Sequence, residues 1–333
     1  MSIASPASSH PTQLDAIRTV IADDMRSVDA IIRRRLDSDV VLIRRIAEYI
    51  IGSGGKRLRP ALVLLSAGAF GYRGTFHHEL AAVIEFIHTA TLLHDDVVDE
   101  SNMRRGRKTA NAEFGNAASV LVGDFLYSRS FQMMVGVGSM RVMSVLADAT
   151  NAIAEGEVLQ LLNTRNASIG ESEYLEVVRR KTAKLFEAAA QLGAILGGAS
   201  AEVEAGMAHY GLHLGTAFQL IDDVLDYSGD EAETGKNLGD DLNEGKPTLP
   251  LIRAMQHGTA EQANVVRRAI EKGGRSDFES VMDAILKTGA LEYAKERARG
   301  ESQSACKGLA ALPDSGYRGS LLALADFAVT RSH

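Results

Sequence analysis

The chain has 333 residues, 45% of them hydrophobic, with a formal net charge of −7 and one cysteine, Cys306. That length buries a sizeable core, while the acidic balance and the lack of a Lys/Arg run exclude nucleic acid as the main partner, since phosphate-backbone binding needs a basic footprint. One cysteine excludes an intramolecular disulfide, no Cys/His spacing suits zinc, and no window of about 18 apolar residues suits a transmembrane segment.

Residues 1–12 are rich in Ser, Ala, Pro and His without a basic start and an apolar block, so a disordered tail and a cytoplasmic protein are expected. From Leu14 to Leu36 apolar residues recur at spacings of three and four, the mark of an amphipathic helix, and Val40 to Ile51 repeats it. Gly52 to Gly55 break the pattern, and Pro60 stands where a first-turn proline opens the next helix. Further helical stretches run over 61–70, 77–100, 117–135, 139–163, 172–198 and 204–228. No alternating run indicates a strand. The acidic, Gly-containing segment 228–246 reads as a loop or lid, and helical patterning resumes after Pro247. With no biased linker, 13–333 is expected to form one all-α domain, a bundle of antiparallel helices around a central cavity.

Two matching acidic pentads stand out inside apolar helical runs: Asp95-Asp96-Val97-Val98-Asp99 and Asp222-Asp223-Val224-Leu225-Asp226. Residues four apart share a helix face, so Asp95 lies beside Asp99 and Asp222 beside Asp226. One such pentad is ordinarily a solvated helix end. Two in apolar helices, each accompanied by spaced cations, form a pair of carboxylate clusters whose mutual repulsion calls for a hard cation. Carboxylates without His or Cys favour Mg²⁺, which completes its shell with phosphate oxygens. Cations follow: Arg104-Arg105 after the first cluster, Lys56, Arg57 and Arg59 in the Gly-rich turn before Pro60, Lys181-Thr182 within another helix, and Lys236 and Lys246 in the lid. His88 shares a face with Asp95 two turns away, and Gln219 one with Asp222.

The segments GGKRLRP (54–60), IEFIHTATLLHDDVVDESNMRRG (84–106), KTAKLF (181–186), FQLIDDVLDY (218–227) and GKNLGDDLNEGKPTLP (235–250) together resemble the trans-polyprenyl diphosphate synthase family over nearly the whole chain after its tail. The resemblance implies a Mg²⁺-dependent head-to-tail prenyltransferase that adds isopentenyl diphosphate repeatedly to an allylic diphosphate of farnesyl or geranyl type. It further implies a homodimer and a long all-trans product, octaprenyl diphosphate for ubiquinone, with a shorter chain or a non-catalytic subunit of a heteromeric synthase as alternatives. Carried over by residue, Asp95, Asp99 and Asp222, supported by Asp96, Asp223 and Asp226, would hold the metal. Arg104, Lys181, Thr182, Gln219, Lys236 and Lys246 would grip the allylic diphosphate, and Lys56, Arg59, His88 and Arg105 isopentenyl diphosphate. Product length is expected from the wall below the first cluster: Ala90 and Thr91 are small and permit growth, and Phe131 and Met134 are expected to form the floor.

Overall fold

The computed structural model describes residues 13–51, 54–104, 106–228, 238–274 and 276–331. The expected tail, Arg105 and Lys236 therefore lie outside the described residues, as does the 229–237 part of the expected lid. The fold is all-α, as the periodicity predicts.

The first expected helix is two, α1 (Gln13–Val20) and α2 (Ala22–Arg35), followed by α3 (Val41–Ile51) and α4 (Leu58–Ala69). α4 begins at Leu58, after Arg57 in the left-handed region at φ 54°, so the three cations of the turn straddle a helix start. Next comes α5 (Phe76–Val98), whose residues Leu80, Ala81, Val83, Ile84 and Ile87 are all fully buried. A helix apolar on most sides must be surrounded by others, and α5 packs against α2, α4, α7 and α10. It ends within the first acidic cluster, with Asp99 as its C-cap, because Glu100 turns left-handed at φ 52°.

A two-residue antiparallel hairpin pairs Met103 with Lys108 and Arg104 with Arg107. It is too short for a period-two pattern, which is why the sequence reading finds no strand. Then come α6 (Ala110–Phe114), α7 (Asn116–Val137), α8 (Met140–Asn163) and α9 (Glu171–Val178). The chain next widens into a π turn over Arg179–Ala183 before α10 (Lys184–Leu196) and α11 (Ala201–Ser228). Beyond the undescribed segment lie α12 (Asp240–Glu244), α13 (Leu249–His257), α14 (Ala260–Lys272), α15 (Phe278–Lys287), α16 (Ala290–Gly308) and α17 (Gly316–Thr330).

α11 is the spine. Its Met207, Tyr210 and Leu214 belong to the largest apolar cluster, Leu220, Ile221 and Val224 to a second, and Tyr227 to a third. Tyr210 donates to the Leu321 carbonyl at 2.7 Å, so its hydroxyl is satisfied although wholly buried.

Candidate active site

Both acidic clusters open on one cavity of about 870 Å³, walled by α4, α5, α8, the π turn, α10 and α11. All six pentad aspartates line it, together with Lys56, Arg59, His88, Arg104, Lys181, Thr182, Gln219 and Lys246. Residues spread over 190 positions of sequence thus meet in one hollow, whose apolar wall includes Phe86, Leu93, Leu126, Ile153, Leu185 and Phe218.

Each cluster divides into cavity-facing and anchored carboxylates. Asp96 is buried and accepts from Arg104 Nε at 3.0 Å and Nη2 at 2.7 Å, so the hairpin's Arg104 is tied to α5. Asp223 is buried too. It accepts from Gln219 Nε2 at 2.8 Å and from the Tyr174 hydroxyl, and Thr182 Oγ1 donates to Gln219 Oε1 at 3.1 Å. Burial, then the charge of Asp241, pushes the Asp223 carboxyl well above the usual range, against the two hydrogen bonds that favour its ionised form. Asp95, Asp99, Asp222 and Asp226 are less enclosed and keep oxygen atoms toward the hollow.

Cations already stand against these carboxylates. Lys181 Nζ lies 3.3 Å from Asp95 and 2.5 Å from Glu157. Lys246 Nζ lies 2.8 Å from Asp99 and 2.6 Å from Glu244. Burial alone would lower the Lys246 pKa, but the charges of Asp99, Glu244 and Asp241 outweigh it and raise it. Because the Asp241 amide donates to Asp226 at 3.2 Å and the Lys246 amide to the Asp241 carbonyl at 2.8 Å, the segment following the second cluster delivers a lysine to the first.

The π turn explains Lys181. An extra residue in one turn re-aims the side chains around it, and the turn approaches α8 so closely that a Cβ on Gly156 would stand 2.6 Å from the Lys181 amide nitrogen. On the opposite wall Arg59 lies over the Phe186 ring at 4.4 Å and its Nη1 is 3.1 Å from His88 Nε2. Arg57, in its left-handed conformation, pairs with Glu85 at 2.9 Å, which fixes the turn that carries Lys56.

The sequence profile of the polyprenyl synthetase family matches residues 40–287. The chain belongs to that family. It is 56% identical to octaprenyl diphosphate synthase of Escherichia coli, covering 96% of this chain and 99% of the relative. It is 45% identical to an all-trans-nonaprenyl-diphosphate synthase of Rhodobacter capsulatus, over 93% and 96% of the two chains. Among solved structures, a polyprenyl synthase from Caulobacter crescentus complexed with calcium and isoprenyl diphosphate superposes with a TM-score of 0.93 at 42% identity, covering 98% of this chain and 100% of that one. This polyprenyl synthetase is accordingly a trans-prenyltransferase, one of a family that builds long-chain polyprenyl diphosphates by head-to-tail condensation.

The residues expected to set product length separate in this synthetase. Thr91 lines the cavity, its hydroxyl turned back to the His88 carbonyl at 2.8 Å. Ala90 and Met134 are wholly buried in the main apolar cluster, away from the cavity lining. Phe131 is 40% exposed on the outer face of α7 and does not line the hollow. Neither Phe131 nor Met134 is among the residues that line this cavity. Leu93, Leu126 and Ile153 are among the apolar residues that do line it.

Three groups of the site escaped the sequence reading. Glu157, on α8, faces Lys181, and burial followed by the Asp95 charge pushes its carboxyl up to about 7. Tyr174 bonds Asp223. Arg331, at the far end of the chain, pairs with Asp222 at 2.8 Å, donates to the Phe218 carbonyl at 2.8 Å and lies over the Phe218 ring at 3.9 Å, its side chain 2% exposed. Only Glu157 carried a sequence signal, as one of the two glutamates that flank Gly156.

Proposed function

We propose that this prenyltransferase makes octaprenyl diphosphate, the ubiquinone side chain, by repeated condensation of isopentenyl diphosphate onto an allylic diphosphate of farnesyl or geranyl type. The carrying observation is that both aspartate clusters line one cavity and that Lys181 and Lys246 bridge to the first from elements associated with the second. The donors at Asp95, Asp99 and Asp222 are carboxylate oxygens, which suits Mg²⁺. When bound there, that ion supplies positive charge against a diphosphate leaving group.

The chain's own residues do the rest. Lys181, Lys246 and Arg104, with Thr182 and Gln219 and with Lys236 from outside the described residues, hold the allylic diphosphate. Opposite cationic charge stabilises the negative charge that grows on the leaving oxygen as the allylic C–O bond breaks. Lys56, Arg59, His88 and Arg105 hold isopentenyl diphosphate so that its π bond faces the allylic cation. Attack forms the new C–C bond, and the proton lost from the adjacent carbon passes to the departed diphosphate. The walls at Phe86, Leu93, Leu126, Ile153 and Phe218 keep water from the cation.

The synthase acts as a homodimer in this reading, supported by an uncharged exposed stripe on α8, Met140, Ser144, Ala147, Asn151, Ala154, Val158 and Leu161. Leu121, Phe131 and Val135 are exposed on neighbouring α7. We take 13–333 as one domain because α11 joins all three apolar clusters, and we place the protein in the cytoplasm. Purified chain given radiolabelled isopentenyl diphosphate, a farnesyl-type starter and Mg²⁺ should yield a labelled product whose mass, after dephosphorylation, corresponds to eight isoprene units. No label in the product would refute the reaction, and another mass would refute the length.

A further inference from the structure

Away from the cavity, α2 meets the first turn of α5 at three groups that no step above uses. His77 and His78 are neighbours on α5, with ring centroids 3.9 Å apart, and Asp24 reaches them from α2. Asp24 Oδ1 lies 2.9 Å from His78 Nε2, a hydrogen bond, and 3.5 Å from His77 Nε2, beyond the usual N–H···O range. His77 is 8% exposed, and its Nδ1 is buried with no hydrogen-bond partner. One carboxylate oxygen thus serves two imidazoles and satisfies one of them.

The 3.5 Å separation is that of neighbouring donors in a coordination shell, and the 2.9 Å hydrogen bond between Asp24 and His78 would open by a few tenths of an ångström to admit an ion. With ligand bonds of roughly 2.0–2.2 Å, a tetrahedral ion sets neighbouring donor atoms roughly 3.3–3.5 Å apart, and each of the three residues offers an atom within 4.8 Å of the others. We propose that Asp24, His77 and His78 form a second metal site, which takes one zinc-class ion and pins α2 to the helix that carries the first acidic cluster. Imidazole nitrogens select this class over Mg²⁺. Asp24 keeps 31% of its side chain exposed, which leaves a fourth position for water. Glu79 on the same helix is occupied by Arg34 at 3.1 Å and Arg35 at 3.5 Å, so it does not compete as a ligand. No local His/Cys spacing announces this site, because its carboxylate comes from more than fifty residues upstream.

The probe is Co²⁺, titrated into the full chain without a histidine tag and with Mg²⁺ in excess to saturate carboxylate-only sites. Wild type should bind one equivalent with the visible absorption of four-coordinate cobalt, and Zn²⁺ should raise its melting temperature. Asp24→Asn and His78→Ala should lose both responses while Asp222→Asn keeps them. Prenyl transfer with Mg²⁺ should persist in His78→Ala, so failure of this site is separable from failure of the catalytic reading. Absence of the cobalt band in wild type, its survival in both Asp24→Asn and His78→Ala, or its loss in Asp222→Asn would overturn the proposal.

Discussion

The two pentads are near-copies in sequence and differ in how the fold treats them. The first closes α5, and each of its three carboxylates meets a cation: Lys181 at Asp95, Arg104 at Asp96 and Lys246 at Asp99. The second lies near the end of α11, where, among the described residues, Asp223 accepts from the neutral donors Gln219 and Tyr174 and Asp222 meets Arg331. Equal motifs therefore have unequal electrostatics. In the first, every carboxylate has a cationic partner; in the second, the buried Asp223 rests on neutral donors while Asp222 takes its cation from the distant Arg331.

If both clusters grip one diphosphate, the largest effect comes from either cavity-facing aspartate. Asp95→Ala and Asp222→Ala should each lower kcat by about 10²-fold or more while the melting temperature changes little, since removing a group that stabilises transition-state charge costs that much. Steady-state kinetics and thermal denaturation check this together. A near-normal rate in Asp222→Ala alone would show that only the first cluster acts.

The contrast sharpens one turn below the first cluster. Thr91→Phe should shorten the product, because residue 91 lines the cavity. Ala90→Phe enters a filled core and should instead destabilise by about 1–3 kcal/mol. Met134→Ala should cost about 2–5 kcal/mol and leave the product length unchanged. Chromatography of dephosphorylated products, with denaturation of each variant, separates wall from core.

These distinctions mark where sequence reading stops. Helix periodicity gave the all-α fold, and the spacing of Asp95, Asp99 and His88 gave one face, because both are local. Whether Ala90 or Thr91 meets the hollow depends on the rotation of α5 among its neighbours. Phe131 and Met134 look alike as apolar residues but differ in what packs over α7. Arg331 could not be read at all, since its pairing with Asp222 spans 109 residues and depends on how α17 docks on α11. The break at Ile21 and the hairpin at Met103 to Lys108 are too short to leave a periodic trace.

The smallest effect concerns Glu157 between Lys181 and Asp95. Its carboxyl titrates near about 7 in the folded protein, above its ordinary value of 4.5, so the native state holds the proton more tightly than the unfolded chain. The contribution to stability is present at low pH and is lost as pH rises through that window. Glu157→Gln should remove this slope, giving a melting temperature that falls less between about pH 5 and pH 8 than in wild type. An unchanged slope would place the titration elsewhere.

Joint action of the two clusters is tested most directly by a double-mutant cycle on Mg²⁺-dependent binding of an unreactive allylic thiodiphosphate, measured calorimetrically for wild type, Asp95→Asn, Asp222→Asn and the double variant. Two clusters sharing one diphosphate predict that either single change costs nearly as much affinity as both together. Losses that simply add, or unaltered binding in either single variant, would contradict a shared grip.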